Sequence, residues 1–377
     1  MLSLEMGDNM LNKIEELSRN IVDYSIDVKS KEKVLITGPF EAKTLIKSLI
    51  TKIIEKGGIP FVKLTDNSIQ ALLLEKTNDD RIKELVNHSK FEVDSYDSFI
   101  NIRYVTNDFE QINVNPLTRK KIGDASKKID YIKINKRKWV LLNYPSTTDA
   151  YKAKMNSTNY QEYAFDVMTF NYREMEEMVK PLKELMEKTD KVRITGKDTD
   201  LSFSIKKISI IPCCGKANLP DGEIYTAPVK NSVNGKITYN VDSPYNGNIF
   251  RNVCLNFKDG KIVEAKCNGD NEKLNEIFDT DEGARYIGEF SIGLNPKIMH
   301  PMGDILYDEK IIGSIHFTPG SSYEDASNGN ESSVHWDLVL IQRDEYGGGD
   351  IYFDDVLVRK NGIFVLPELI HLNYHLK

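Results

Sequence analysis

The chain has 377 residues, 40% of them hydrophobic and 28% charged, with a net charge of −7. That length exceeds one ordinary hydrophobic core, so two domains are expected. The negative balance argues against nucleic acid or an anionic membrane as a partner, and no apolar run approaches the ~18 residues of a membrane span.

The opening stretch, MLSLEMGDNMLNKIEELSRN, is amphipathic and carries acids. It is unlike a secretory signal, and a cytoplasmic location is expected. Leu11, Ile14, Leu17, Ile21 and Tyr24 recur at helical spacing and predict a helix over 10–28. Lys33-Val34-Leu35-Ile36-Thr37 reads as a short apolar strand. A helix follows with Leu45, Ile46, Leu49, Ile50, Ile53 and Ile54 on one face, and it stops at Gly57-Gly58. Ile59–Leu64 is the next strand, which completes a β-α-β unit and implies a parallel sheet. The single glycine after the first strand is not a G-x-G-x-x-G fingerprint, so no dinucleotide site is expected. The pattern continues with a helix around 80–88, a strand at 98–105, a helix near 117–128 and a strand at 139–143.

Residues 171–188 predict a helix with Met175, Met178, Val179, Leu182, Leu185 and Met186 inward, kinked by Pro181. The methionine stripe fits a core better than a cofactor. Beyond residue 190 short strands and turns dominate: 191–195, 201–205, 236–239, and 252–257 with 262–267 about a Lys258-Asp259-Gly260 turn. A helix at 271–278 follows. The closing strands are 351–359 and 363–366, about Asn361-Gly362. The expected class is α/β: a Rossmann-like α/β domain over 1–188, then a sheet-rich α+β metal-binding domain over 189–377.

Ser333–Ile341 reads as a strand on which Val334, Trp336, Leu338 and Leu340 face a core. His335 and Asp337 then share the other face, roughly 7 Å apart at Cα. An imidazole and a carboxylate there are costly to bury unless something meets them, and a divalent metal is the natural partner. An exposed strand face or a plain His–Asp hydrogen bond would also explain the pair taken alone. Three further stretches repeat the oddity. Glu223 opens a short strand after Pro220-Asp221-Gly222. Glu289 sits in Ile287-Gly288-Glu289-Phe290-Ser291-Ile292-Gly293. His316 interrupts Gly313-Ser314-Ile315-His316-Phe317, and a Gly-rich loop then presents Tyr323. Three carboxylates and two imidazoles suit two divalent ions and a water that they acidify. Cys213, Cys214, Cys254 and Cys267 form no C-x-x-C pair and read as buried free thiols, so oxygen and imidazole are the expected ligands. His88, His300, His371 and His375 receive no role.

The segments GEIYTAP, IGEFSIG, GSIHFTPGSSY and NESSVHWD, with GKDTDLSFSI, NSVNGKI and VLVRKNGIFVLPEL, resemble the M29 family of metallo-aminopeptidases over essentially the whole chain. The order Glu, Glu, His, Tyr, His-x-Asp is that family's. The resemblance implies metal ligands at Glu223, Glu289, His316, His335 and Asp337, a catalytic tyrosine at Tyr323, and an auxiliary acid at Glu309. It further implies two divalent ions (Zn, Co, Mn or Mg), peptides with a free N-terminus as substrates, Glu223 or Glu289 as proton shuttle, and a homodimer. His316-Phe317-Thr318-Pro319-Gly320 stands where the family often shows H-x-A-x-G. The alternative is a mononuclear non-haem Fe(II) ring-cleaving dioxygenase built on His316, His335 and Asp337 alone. Retention of both Glu223 and Glu289 favours hydrolysis.

Overall fold

The computed structural model describes residues 7–245, 247–374 and 376; His375 lies outside the described residues. The chain divides into two compact units. One comprises the described residues up to Phe170 together with Gly215–Pro220, and the other Asn171–Cys214 with the described residues from Asp221 onward. The stretch 171–188 therefore belongs with the second unit. There Tyr172 accepts the Asp221 amide at 3.0 Å and His371 meets the Met178 carbonyl at 2.7 Å.

The first unit is built on a parallel sheet of β1 (Lys33–Pro39), β2 (Ile59–Thr65), β3 (Ser98–Arg103) and β4 (Lys138–Asn143) in the order β2-β1-β3-β4, closed by the short strand Asn218–Leu219. Val34, Ile36, Ile100, Val140 and Leu142 are fully buried, as the apolar runs required. Helix Lys43–Glu55 covers them with Leu45, Leu49 and Ile53. The expected 10–28 helix is an α-helix over Asp8–Asn20 that continues as a π turn over Ile21–Ser25. Helices Asn67–Glu75, Thr147–Lys152 and Ser157–Met168 were not anticipated, because each is short or mixes polar residues into its buried face.

In the second unit the 171–188 helix is two helices, Tyr172–Met178 and Lys180–Lys188, meeting at Val179. Pro181 has no N–H to donate and its ring crowds the carbonyl four residues back. A nine-stranded antiparallel sheet includes Lys191–Gly196, Thr199–Ser204 and Asn248–Lys258. Its expected 351–359 strand is instead a hairpin, Gly349–Phe353 and Val356–Lys360. The chain reverses at Asp354-Asp355, both left-handed at φ 47° and 65°.

The second sheet of this unit carries the site. Its order is β9-β8-β7-β6-β5, with β5 Ile211–Cys213, β6 Glu223–Thr226, β7 Ile287–Gly293, β8 Ser314–Pro319 and β9 Val339–Ile341. Register pairs Ile292 with Ile224, Phe290 with Phe317 and Ile315 with Leu340. This face meets the larger sheet, where the Phe203 ring lies 5.0 Å from both Phe290 and Phe317. Side chains alternate along a strand, so Glu223, Tyr225, Glu289, Ser291, His316 and Thr318 gather on the opposite face. No described helix is long and apolar enough to cross a membrane.

Candidate metal centre

The strand expected over 333–341 is shorter: only Val339–Ile341 is strand, and His335 makes an isolated bridge to Gly320. Two features of the neighbouring chain end the ladder. Pro319 has no amide to donate, and Gly320 turns the backbone at φ +110°. A Cβ on Gly320 would stand 2.0 Å from the Val334 carbonyl, so only glycine lets the 334–337 segment lie this close. Backbone bonds still hold it extended, Ser321 N to Val334 O at 2.7 Å and Trp336 N to Pro319 O at 3.1 Å. Val334, Trp336 and Leu338 are buried, and His335 and Asp337 lie together, Nε2 to Oδ1 3.3 Å.

Glu289 follows a register shift between Ile287 and Glu289, a bulge of the kind that re-aims a side chain beside a site. Gly288 makes it possible, since a Cβ there would meet the Ser321 carbonyl at 2.2 Å. Glu289 Oε1 lies 3.1 Å from His316 Nε2, and Oε2 lies 3.4 Å from His335 Nε2. Glu223 Oε2 lies 3.4 Å from His316 Nε2 and accepts the Ser291 hydroxyl at 3.0 Å. Asp337 Oδ1 accepts Thr318 Oγ1 at 2.8 Å. All five sequence-selected ligand residues thus converge. Their ligand atoms fall into two groups, Glu223–Glu289–His316 and Glu289–His335–Asp337, each with atoms within 4.8 Å of one another. Glu289 belongs to both.

The imidazoles are pre-oriented. His316 Nδ1 faces the Glu309 carbonyl at 3.1 Å and His335 Nδ1 the Ser321 carbonyl at 2.9 Å. A carbonyl only accepts, so Nδ1 carries the proton in each ring and Nε2 is directed at the carboxylates. His335 Nε2 is buried 3.4 Å from Glu289 and 3.3 Å from Asp337, with no well-aligned hydrogen bond to either. A buried ring nitrogen so poorly bonded between two carboxylate oxygens is what a hard or borderline cation would satisfy. The donor set, imidazole and carboxylate, fits a divalent ion.

The charges are strongly interdependent. Burial opposes the charged form of His316, yet Glu223 and Glu289 hold it up at about 10. His335 is likewise raised well above the ordinary histidine value against its burial, by Asp337 and Glu289. Burial would lift Asp337, and His335 pulls it below the usual carboxylate range. Tyr323 is 47% exposed, with its ring 4.8 Å from His335 and 5.5 Å from Tyr225. Enclosure of its hydroxyl, then the surrounding carboxylates, push that group well above 10.

Glu309 is buried, and burial pushes it up to about 8. Its carboxylate pairs with Lys310, and Lys310 Nζ also lies 3.7 Å from Glu223 Oε1. Lys310 is fully buried and was not singled out from sequence, nor were Ser291 and Thr318. The last two were findable, for each lies two residues beyond a selected ligand on the same strand face. Cys213 converges with Asp221 and Glu223. All four cysteines are free, and burial raises the Cys213 thiol. His88 sits 3.8 Å from Glu92, and His300 3.0 Å from the Tyr346 hydroxyl.

The smaller sheet of the second unit turns an apolar face to the larger one and gathers on its other face a carboxylate–imidazole donor set of the kind that holds metal in metalloproteins. Residues 10–351 match the family model of the M29 peptidases, described as thermophilic metalloproteases. The chain belongs to that family. It is 30% identical over 146 residues to aminopeptidase AmpS of Bacillus subtilis, a match spanning 34% of this chain and 35% of the relative. To aminopeptidase 2 of Geobacillus stearothermophilus it is 30% identical over 160 residues, 37% of this chain and 36% of the relative. The aligned stretch thus spans about a third of either relative's length. Wild-type AmpT from Thermus thermophilus has a similar fold, with a TM-score of 0.80 at 19% identity over 94% of this chain and 99% of that one.

Proposed function

We propose that the protein is a metal-dependent aminopeptidase that removes N-terminal residues from peptides through two divalent ions. The observation that carries this is Glu289, whose two oxygens face two different imidazoles and so join two ligand groups. Glu223 and His316 complete one group, His335 and Asp337 the other. Zn, Co, Mn and Mg all suit these donors. Two ions held there would supply Lewis acidity and a water acid enough to be deprotonated near neutral pH.

The chain's own groups do the rest. Glu289 would serve as the shared ligand, and Glu223 beside it would also shuttle the proton. Its two oxygens are steadied by Ser291 and by Lys310. Tyr323, kept protonated by its surroundings, donates a hydrogen bond to the oxyanion that forms on the scissile carbonyl. The substrates are peptides with a free N-terminus, which accords with the aminopeptidase names of the relatives. The family resemblance alone supports a homodimer. The dioxygenase alternative is not taken up, because the named relatives are aminopeptidases and both glutamates stand in the cluster.

The test is metal content per chain in protein purified without chelator, read with hydrolysis of aminoacyl-p-nitroanilides. About two ions per chain and metal-dependent release of nitroaniline are expected. One iron per chain with oxygen consumption on an aromatic substrate would overturn the reading.

A further inference from the structure

A cavity of about 150 Å³ opens beside one half of the metal centre, with His335 and Asp337 in its wall. Val241, Pro244, Tyr245, Ile305, Trp336 and Val339 form the apolar part of that wall, and Ser243 lines it too. The aromatic side is braced. The Trp336 ring lies 4.8 Å from Tyr245, 5.3 Å from Phe250 and 5.9 Å from Phe278. Ile305 is 40% exposed and marks the mouth. Two acids also touch the space, but both are already answered. Asp242 pairs with Arg251 at 3.0 Å. Asp308 accepts the amides of Met302 at 2.5 Å and Gly303 at 3.1 Å, one on each oxygen. Each keeps unused lone pairs, but both carboxylates are already partly neutralised by these donors.

Ligand sites are concave, largely apolar and set beside a few fixed polar groups, and this cavity has that make-up. A peptide held with its first carbonyl over the carboxylate–imidazole cluster has its first side chain only a bond or two away. A cavity of about 150 Å³ has room for a benzene molecule, and its apolar side matches a phenylalanine ring or a leucine or methionine side chain. We propose that this cavity receives the side chain of the substrate's N-terminal residue and selects leucine, methionine or phenylalanine over alanine, lysine and arginine. The proposal rests on the aminopeptidase reading and adds the substrate class to it. Alanine leaves the apolar wall wet. Lysine or arginine brings a cation to acids already engaged, and its burial there is costly.

The test compares Leu-, Phe-, Ala- and Lys-p-nitroanilide with metal-loaded wild type, Ile305→Trp and Ile305→Phe. Methylene contacts in an apolar pocket discriminate by about tenfold or more. Wild type is expected to favour Leu and Phe over Ala by at least that factor in kcat/KM, with Lys below Leu. Ile305→Trp, which fills the mouth, brings the Leu:Ala ratio close to one. Ile305→Phe narrows it, and stands in should the larger variant lose its circular dichroism spectrum. Calorimetric binding of L-leucinol against L-alaninol gives a readout apart from turnover, with leucinol tighter in wild type and no longer so in the variants. Hydrolysis with a flat ratio, a preference for Lys, or a ratio unmoved in folded variants would overturn the pocket and leave the peptidase reading standing. No hydrolysis of any anilide or dipeptide by metal-loaded protein would overturn the peptidase reading itself, whatever leucinol does.

Discussion

Glu289 and His316 come from adjacent antiparallel strands and meet Oε1 to Nε2 at 3.1 Å, while the second oxygen of the same carboxylate is turned to His335. A carboxylate so placed couples the two ligand groups. Glu289→Ala is therefore expected to leave the protein close to metal-free, whereas Asp337→Ala keeps closer to one ion per chain. Elemental analysis after equilibration with excess metal distinguishes them. Equal loss in the two variants would remove the special place of Glu289.

Metal binding should release protons. Without a metal, the carboxylates hold His316 up at about 10 and His335 well above its ordinary value, so both rings are charged at neutral pH. An ion needs neutral imidazole, so binding expels those protons and apparent affinity rises with pH. Each proton released makes the affinity rise about tenfold per pH unit below the relevant pKa. Calorimetry in buffers of differing ionisation enthalpy counts them. Binding with no net proton release would contradict the charge arrangement described for the cluster.

Tyr323→Phe is expected to keep its metal and lose turnover. The hydroxyl is assigned to the transition state, so kcat should fall more than KM rises, by about a hundredfold or more for one oxyanion donor. The measurement is kcat with metal content determined on the same sample. If the ring merely packs against Tyr225 and His335, phenylalanine will do as well and kcat will stay near wild type.

Lys310 is fully buried between Glu309 and Glu223. Removing one member of a buried ion pair costs about 3–5 kcal/mol, because the remaining charge is left without an answer. Lys310→Met should lower stability by that order in denaturant unfolding of the metal-free protein above about pH 8, where Glu309 is ionised, and Lys310→Arg by less. A Met variant as stable as wild type would mean that Glu309 takes up a proton and needs no cation.

The candidate ligand residues were legible because each is an ionisable group set into an otherwise apolar or glycine-lined segment; alternation places Glu223 and His316 on one face, while the register shift at Gly288 and the turn at Gly320 bring in Glu289, His335 and Asp337. The parallel sheet of the first unit was legible for a related reason: buried parallel strands such as Val34–Ile36 are continuous apolar runs. What sequence reading missed has local causes. The Asp354-Asp355 reversal uses two left-handed aspartates where Asn-Gly or Asp-Gly is the usual signal. The early end of the 333–341 strand is dictated by Pro319 and Gly320, which belong to its neighbour rather than to itself. Lys310 left no trace because a lysine beside a glutamate at the end of a short helix usually lies in solvent.

The alternating faces of the site-bearing sheet have a consequence for biosynthesis. The residues proposed as its ligands come along the chain as Glu223, Glu289, His316, His335 and Asp337, and no near neighbours in sequence supply a full ligand group. During translation the Glu223–Glu289–His316 group becomes available before His335 and Asp337 have emerged. The other group waits for the segment that closes against Gly320. On the two-ion proposal, a nascent chain would gain its ion-holding capacity in two instalments. Metal uptake by chains arrested at successive lengths would serve as a ruler for how far the sheet has zipped.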